Sequence, residues 1–368
     1  MTKVLIAPVT ITPTKALTPS HLKGLLWVDV MYRATSLVAD ATYRYSNTTY
    51  NVTRQTLGFW EYLDRTFGDI DFTLHGEEEI GELYVRYQSE PQHAPFAALR
   101  PYLRAVEDTG WVHPASTRLL ELWTGYYTRL GMYDPGLTKV QPPGTRLEEM
   151  IEYLAVRDLC LDYRPIGGPV YLDATRYGLP LRQIVTHEHQ PNYLACALRE
   201  LIPLVEQYGE TVLVHDRALT EDYVLLQRLL GAVGGNIVRV AVDRVPINGV
   251  IKSSRYGGWQ SHTLPAMFAD CQDVEPEVLK LGMRLYFIAV LGKGSGQSFR
   301  KDLLRQTMAR AQKLLAAAAP RLTATELAEY VCRYSGDNRH VDPYRLTSAM
   351  LTKRCKPSVH DLVEQVYR

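Results

Sequence analysis

The sequence predicts an α/β protein, a parallel Rossmann-like sheet carrying a mostly helical insertion and followed by a helical C-terminal region. Three observations predict it. An apolar run, a loop rich in Thr and Pro, a helix and a second short strand open the chain as a βαβ unit. A long stretch with helical rather than strand character comes next. Two further apolar runs, Thr211 to Val214 and Ile237 to Val242, resume the strand pattern with a helix, Asp222 to Leu230, between them.

The first element is Val4-Leu5-Ile6-Ala7-Pro8-Val9. A short apolar run with branched side chains suits a parallel strand covered on both faces. The loop after it carries Thr10, Thr12, Pro13, Thr14, Thr18, Pro19 and Ser20. His21 to Ala39 reads as a helix, with Leu22, Leu25, Leu26, Val30 and Met31 near helical spacing. Ala41 to Tyr45 is the next strand. The ligand site of such a unit is expected where the loop meets the helix N-terminus.

Residues 56 to 165 read as mainly helical, with a break at Gln141-Pro142-Pro143-Gly144. The core is expected to resume near Pro169-Val170-Tyr171-Leu172. After Pro276 the pattern is helical to the end, and Thr323-Ala324-Thr325-Glu326 marks the start of a last small helical appendage. The expected division is residues 1–55 for the first half of the core and 56–165 for the insertion. Residues 166–262 are the second half of the core and 263–368 the helical C-terminal region.

With 368 residues and 46% hydrophobic content the chain can bury a large core. The formal net charge is only +1. A protein gripping a long nucleic acid shows a strong basic excess, so the balance argues against DNA and disfavours RNA. Cys160, Cys196, Cys271, Cys332 and Cys355 form no CxxC pair and are odd in number, which argues against structural zinc and a disulfide framework. His187 and His189 would share a strand face, but no third ligand is evident. They read as surface or substrate contacts, and no metal site is expected. Asp162 and Asp173 read as structural or pocket-rim residues. No apolar stretch approaches ~20 residues and no signal-peptide pattern opens the chain, so a cytoplasmic protein without a membrane span is expected. The 24 tyrosines, many of them in the insertion, suit a pocket wall, an interface or a core.

Two segments carry chemistry. The first is Thr18-Pro19-Ser20-His21-Leu22-Lys23-Gly24, with Asp29 a few residues on. It resembles the His-x-Gly-His signature of class I aminoacyl-tRNA synthetases, often followed by Leu-Arg-Gly and an Asp. His21 matches the second His, Thr18 stands at the first and Ser20 at the Gly. The second is Gly249-Val250-Ile251-Lys252-Ser253-Ser254-Arg255-Tyr256-Gly257-Gly258. It resembles the Lys-Met-Ser-Lys-Ser signature in the Met-Ser-Ser-Arg form of arginyl enzymes. A glycine-flanked loop bearing Lys and Arg can close over a triphosphate and stabilise the pyrophosphate leaving group. Both segments occur in the family's order, around an interrupted α/β core.

Shorter matches support the resemblance. Pro191-Asn192-Tyr193-Leu194-Ala195 is similar to a Pro-Thr-Tyr segment of arginyl enzymes, whose next Asp is Ala197 here. Val212-Leu213-Val214-His215-Asp216 resembles the strand that ends in an Asp at the ligand edge. Leu281-Gly282-Met283-Arg284-Leu285-Tyr286 resembles the helix after the signature loop. Asn47 and Thr49 match an Asn-x-Thr segment of cysteinyl enzymes and their ligase relatives, without its acids.

The resemblance implies a Rossmann-like core of the HUP type, ATP with Mg2+, and formation of an amino-acid adenylate. On it, His21 and Thr18 contact the α-phosphate region, and Lys252 and Arg255 stabilise charge in the transfer. Ser20, Gly24, Ser253, Ser254 and Asp216 contact the nucleotide. Thr12, Lys15, Asn47 and Tyr193 line the acyl-substrate pocket. The residues after 258 do not comfortably fit a full anticodon-binding domain, so the expected acceptor is a small amine or hydroxylamine-type molecule rather than transfer RNA. A truncated tRNA synthetase and a non-catalytic nucleotide- or RNA-binding relative are the alternatives.

Overall fold

The structure is a computed structural model that describes residues 2–251, 254–317, 321–352 and 359–368, the side chains of Ser254 and Val359 excepted. A four-stranded parallel sheet has the order β2-β1-β6-β7. Its strands are β1 (Lys3–Pro8), β2 (Asp40–Tyr43), β6 (Glu210–Asp216) and β7 (Ile237–Val242). β1 lies between two neighbours, with Ile6 opposite Tyr43 on one side and Ala7 opposite Leu213 on the other. Val4, Leu5 and Ile6 are fully buried, as a central parallel strand requires.

Helix α1 (Pro19–Ser36) follows β1, with Pro at its first turn, where a missing N–H costs nothing. It buries residues on every side, from Leu22 and Trp27 to Met31, so it is a core helix rather than an amphipathic surface one. Asp29, 2% exposed, forms an ion pair with the fully buried Arg284 at 2.6 Å and accepts from the Tyr133 N–H.

The insertion contains α2 (Asn47–Tyr50), α3 (Arg54–Phe67), α4 (Glu77–Gln88), α5 (Phe96–Thr109), α6 (Pro114–Leu130) and α7 (Leu147–Ala155). The short strands β3 (Cys160–Asp162), β4 (Val170–Leu172) and β5 (Arg182–Val185) form a separate antiparallel sheet. This corrects the expectation that the core resumes at Pro169. Val170 and Leu172 are buried while Tyr171 between them is half-buried, the alternation of a one-sided antiparallel strand. The parallel sheet is taken up again only at Glu210, after α8 (Tyr193–Val205), and α9 (Thr220–Ala232) connects β6 to β7. Asp162 and Asp173 cap the turns at Arg164 and Thr175, and His187 and His189 lie exposed just beyond β5.

The remaining helices are α10 (Leu264–Ala269), α11 (Pro276–Arg284), α12 (Lys301–Ala316), α13 (Ala324–Cys332), α14 (Pro343–Leu351) and α15 (Val359–Leu362). A π-helical turn, Leu285–Val290, and a glycine-rich bend over 292–298 interrupt the expected continuous run. Nor is the last piece an appendage. Glu210, the first residue of β6, accepts from the N–H groups of Arg339 and His340 and from the His340 ring at 2.8 Å. Tyr367 is fully buried. The C-terminal helices thus seal the edge of the sheet opposite the strand C-termini. Thr323 and Glu326 make the expected reciprocal cap at the start of α13. Among the described residues no helix is long and apolar enough to cross a membrane.

Candidate active site

The first signature segment meets the chain that leads from β7 to the second one, beyond the C-terminal edge of the parallel sheet. Ser20, in the first turn of α1, makes the join. Its hydroxyl accepts from the Val245 N–H at 3.0 Å and donates to the Val245 carbonyl at 3.4 Å, across 225 residues. Val245 lies just beyond β7, on the approach to the signature loop. Ser20 therefore fixes the first turn of α1 against the approach to the second segment. Gly24 faces open space, since a Cβ there would meet nothing within 4 Å.

His21 reaches back along its own helix. Its Nδ1 accepts from the Thr18 N–H at 3.2 Å, which assigns the proton to Nε2, and it also lies 3.2 Å from the Thr18 hydroxyl. The ring hydrogen-bonds the Ala16 backbone as well. Burial, followed by the charges of Lys15 and Arg244, pushes the His21 pKa down to about 3. The imidazole is therefore neutral, and together with Thr18 it shapes the loop over residues 15–18. A nucleotide would gain its N–H only in exchange for the Ala16 contact.

Lys15 sits at the centre of this loop, 8% exposed, with its ammonium 5.3 Å from the Tyr84 ring centre. Burial, then Arg255 and Arg244, lower its pKa to about 7. Lys15, Arg244 and Arg255 together make an electropositive corner beside the N-terminus of α1. This is the chemistry a polyphosphate needs, so the residues present fit ATP.

The insertion supports the loop from behind. Trp60 donates to the Ser116 hydroxyl at 2.8 Å, and Ser116 donates to the Pro13 carbonyl at 2.6 Å. Gln55 donates to Thr12 at 3.0 Å and accepts from Arg255 at 2.9 Å, so one side chain joins the predicted Thr12 to the signature loop. Arg255 is exposed, in a short turn over Ser254–Tyr256. Lys252 and Ser253 lie outside the described residues. Lys23 points away from the loop, to the Gly294 carbonyl at 3.0 Å, and clamps the glycine-rich bend onto α1.

Asp216 ends β6 in an ion pair with Arg244 and caps the next turn through the Ala218 N–H. At the same edge of the sheet, a small cavity of about 20 Å3 is lined by residues of β1, β6, α8 and α9, with Pro8 and Thr10 among them. Neither Asn47 nor Tyr193 lines it. Asn47 donates to the Leu137 carbonyl at 3.1 Å, and the Tyr193 hydroxyl donates to Asp222, which also pairs with Arg182. Ser46, Tyr50 and Tyr223 line it instead.

Sequence reasoning missed the charged pair there. Arg44, just after β2, donates to Glu200 of α8 at 2.6 Å, and Glu200 also accepts from Thr49. The position of Arg44 at the C-terminal end of a parallel strand was the available signal. Arg244, shortly after β7, was missed in the same way.

No family model matches the sequence, and no curated protein matches it. In structure the chain is similar to the arginyl-tRNA synthetase of Thermus thermophilus, with a TM-score of 0.63, 16% identity, and coverage of 95% of this chain and 73% of that one. It is also similar to the arginyl-tRNA synthetase of Plasmodium falciparum, with a TM-score of 0.51 and 12% identity, covering 98% of this chain and 61% of that one. These likenesses, which extend over nearly the whole chain, give it a class I aminoacyl-tRNA-synthetase-like fold.

Proposed function

We propose that the protein activates an amino acid with ATP as its adenylate and passes the acyl group to an amine or hydroxylamine-type small molecule. The observation that carries this reading is the electropositive corner of Lys15, Arg244 and Arg255 beside the α1 N-terminus, next to a separate pocket at the same sheet edge. A carboxylate oxygen of the amino acid attacks the α-phosphorus, and pyrophosphate leaves with the bonding electrons. Cationic donors stabilise the charge that builds on the leaving group. Mg2+ arrives with the nucleotide. In the second half the acceptor nitrogen attacks the acyl carbon, AMP departs with the bridging oxygen, and the nitrogen gives its proton to solvent.

In this reading Lys15 and Arg255, with Lys252 and the serines Ser253 and Ser254, hold the phosphates. Neutral His21 and Thr18 shape the loop at the α-phosphate, and Asp216 orients Arg244. The near balance of charge, +1 overall, supports a small acceptor over transfer RNA. ATP–pyrophosphate exchange over a panel of amino acids tests the proposal. Exchange is expected with one amino acid or a narrow group, and Lys252→Ala should lower it ~10²-fold, the scale for losing a charge-stabilising donor. Unchanged exchange in that variant removes the signature loop from the mechanism.

A further inference from the structure

The small pocket at the sheet edge carries one of the protein's own charge pairs, Arg44 with Glu200, in its wall. Glu200 is 4% exposed, on a helix whose buried face packs into the core. One of its oxygens accepts from Thr49 and the other from the Arg44 guanidinium at 2.6 Å. Arg44 is different in kind. Its side chain is 28% exposed, and it is anchored otherwise through the Pro142 carbonyl at 3.2 Å. Both charges line the cavity, whose other walls include Leu201, Leu213 and Leu226. At about 20 Å3 the cavity has room for roughly one water molecule.

A substrate side chain can enter only by moving something out. Glu200 is fixed in the core, and a buried carboxylate without a cation is strongly unfavourable. Arg44 has a path to solvent. An anionic or neutral newcomer that displaced Arg44 would strand Glu200, whereas a cationic one restores its charge partner. The apolar walls strengthen that pairing by keeping the local dielectric low.

We propose that Arg44 is a displaceable internal plug, and that the pocket takes an amino acid whose side chain is an aliphatic stem ending in a cationic nitrogen, which replaces the Arg44 guanidinium at Glu200. This deepens the adenylation reading by naming its substrate class, and rests on that reading for the use made of the pocket.

The test uses binding, so that it stands apart from catalysis. Calorimetry on the full chain without ATP compares L-arginine and L-lysine with L-citrulline and L-norleucine. At least one cationic amino acid should bind ~30-fold or more tighter than its neutral counterpart, the scale expected for one member of a buried charge pair. Glu200→Gln should abolish the difference, and Arg44→Ala should tighten binding of the cationic ligand. In a second arm methylguanidinium chloride should raise the melting temperature of Arg44→Ala above that in equal sodium chloride, and should not do so in the Arg44→Ala, Glu200→Gln double variant. Equal binding of neutral amino acids, no binding of either cationic one, or a cation preference that survives Glu200→Gln overturns the proposal. If Arg44→Ala does not fold, the wild-type and Glu200→Gln comparison still decides. ATP–pyrophosphate exchange with whichever amino acid binds separates the two claims. Cation-selective binding without exchange contradicts adenylation alone, and exchange with neutral amino acids only contradicts the plug alone.

Discussion

Lys15 is the side chain on which the phosphate chemistry turns. Its pKa, lowered to about 7 by burial and then by Arg255 and Arg244, leaves the amine mostly neutral at pH 8 and mostly charged at pH 6. A bound triphosphate favours the charged form and raises that pKa. Nucleotide binding is therefore expected to take up a proton near pH 8 and almost none near pH 6, measurable by calorimetry in two buffers of different ionisation enthalpy. Lys15→Met should abolish the uptake and lower exchange ~10²-fold. Equal uptake in wild type and variant would place the proton elsewhere. Lys15 and His21 were legible in the sequence because a helix N-terminus after a first strand is a defined place. Arg44 and Glu200 were not. They lie 156 positions apart, and each is one charge among 41 basic and 40 acidic residues, so only the fold pairs them.

At the level of elements, the site depends on how α1 is held against the segment after β7 and on the support beneath the loop. Ser20→Ala removes both bonds to Val245 and should cost about 1 kcal/mol or slightly more in unfolding free energy. Exchange should fall by more than that loss of stability explains, because the approach to the signature loop loses its anchor. Glu77, first residue of α4, is 2% exposed and meets the Leu17 backbone and the Trp123 indole. Burial raises its pKa from 4.5 to about 8. Between those values the unfolded chain releases this proton while the folded chain keeps it, so stability falls as pH rises through the window. Glu77→Gln should melt higher than wild type at pH 8 and converge with it toward pH 5; a constant offset would contradict the assignment. The period of the apolar residues gave β7 with its observed bounds and placed α1, β6 and α9 closely. It misplaced Val170 because a run of a few apolar residues does not distinguish a parallel core strand from one side of an antiparallel one.

Across the whole molecule, the C-terminal helices are joined to the first core helix by the buried pair of Asp29 and Arg284, and to β6 by Glu210 with His340. Arg284→Ala should lower unfolding free energy by ~3–5 kcal/mol, since it strands a buried carboxylate. The double variant Asp29→Asn, Arg284→Met should lose less than that single change, and strict additivity in denaturant titrations would argue against coupling. This closure was hidden in the sequence because its contacts join residues 255 and 130 positions apart. In the proposed function a carboxylate attacks the α-phosphorus at the site this architecture assembles. The most direct measurement supplies amino acids labelled with 18O in the carboxylate, with ATP and hydroxylamine as acceptor, and follows the label by mass spectrometry. One 18O is expected in AMP, together with unlabelled pyrophosphate. ADP with labelled phosphate, or no cleavage of ATP with any amino acid, would contradict it.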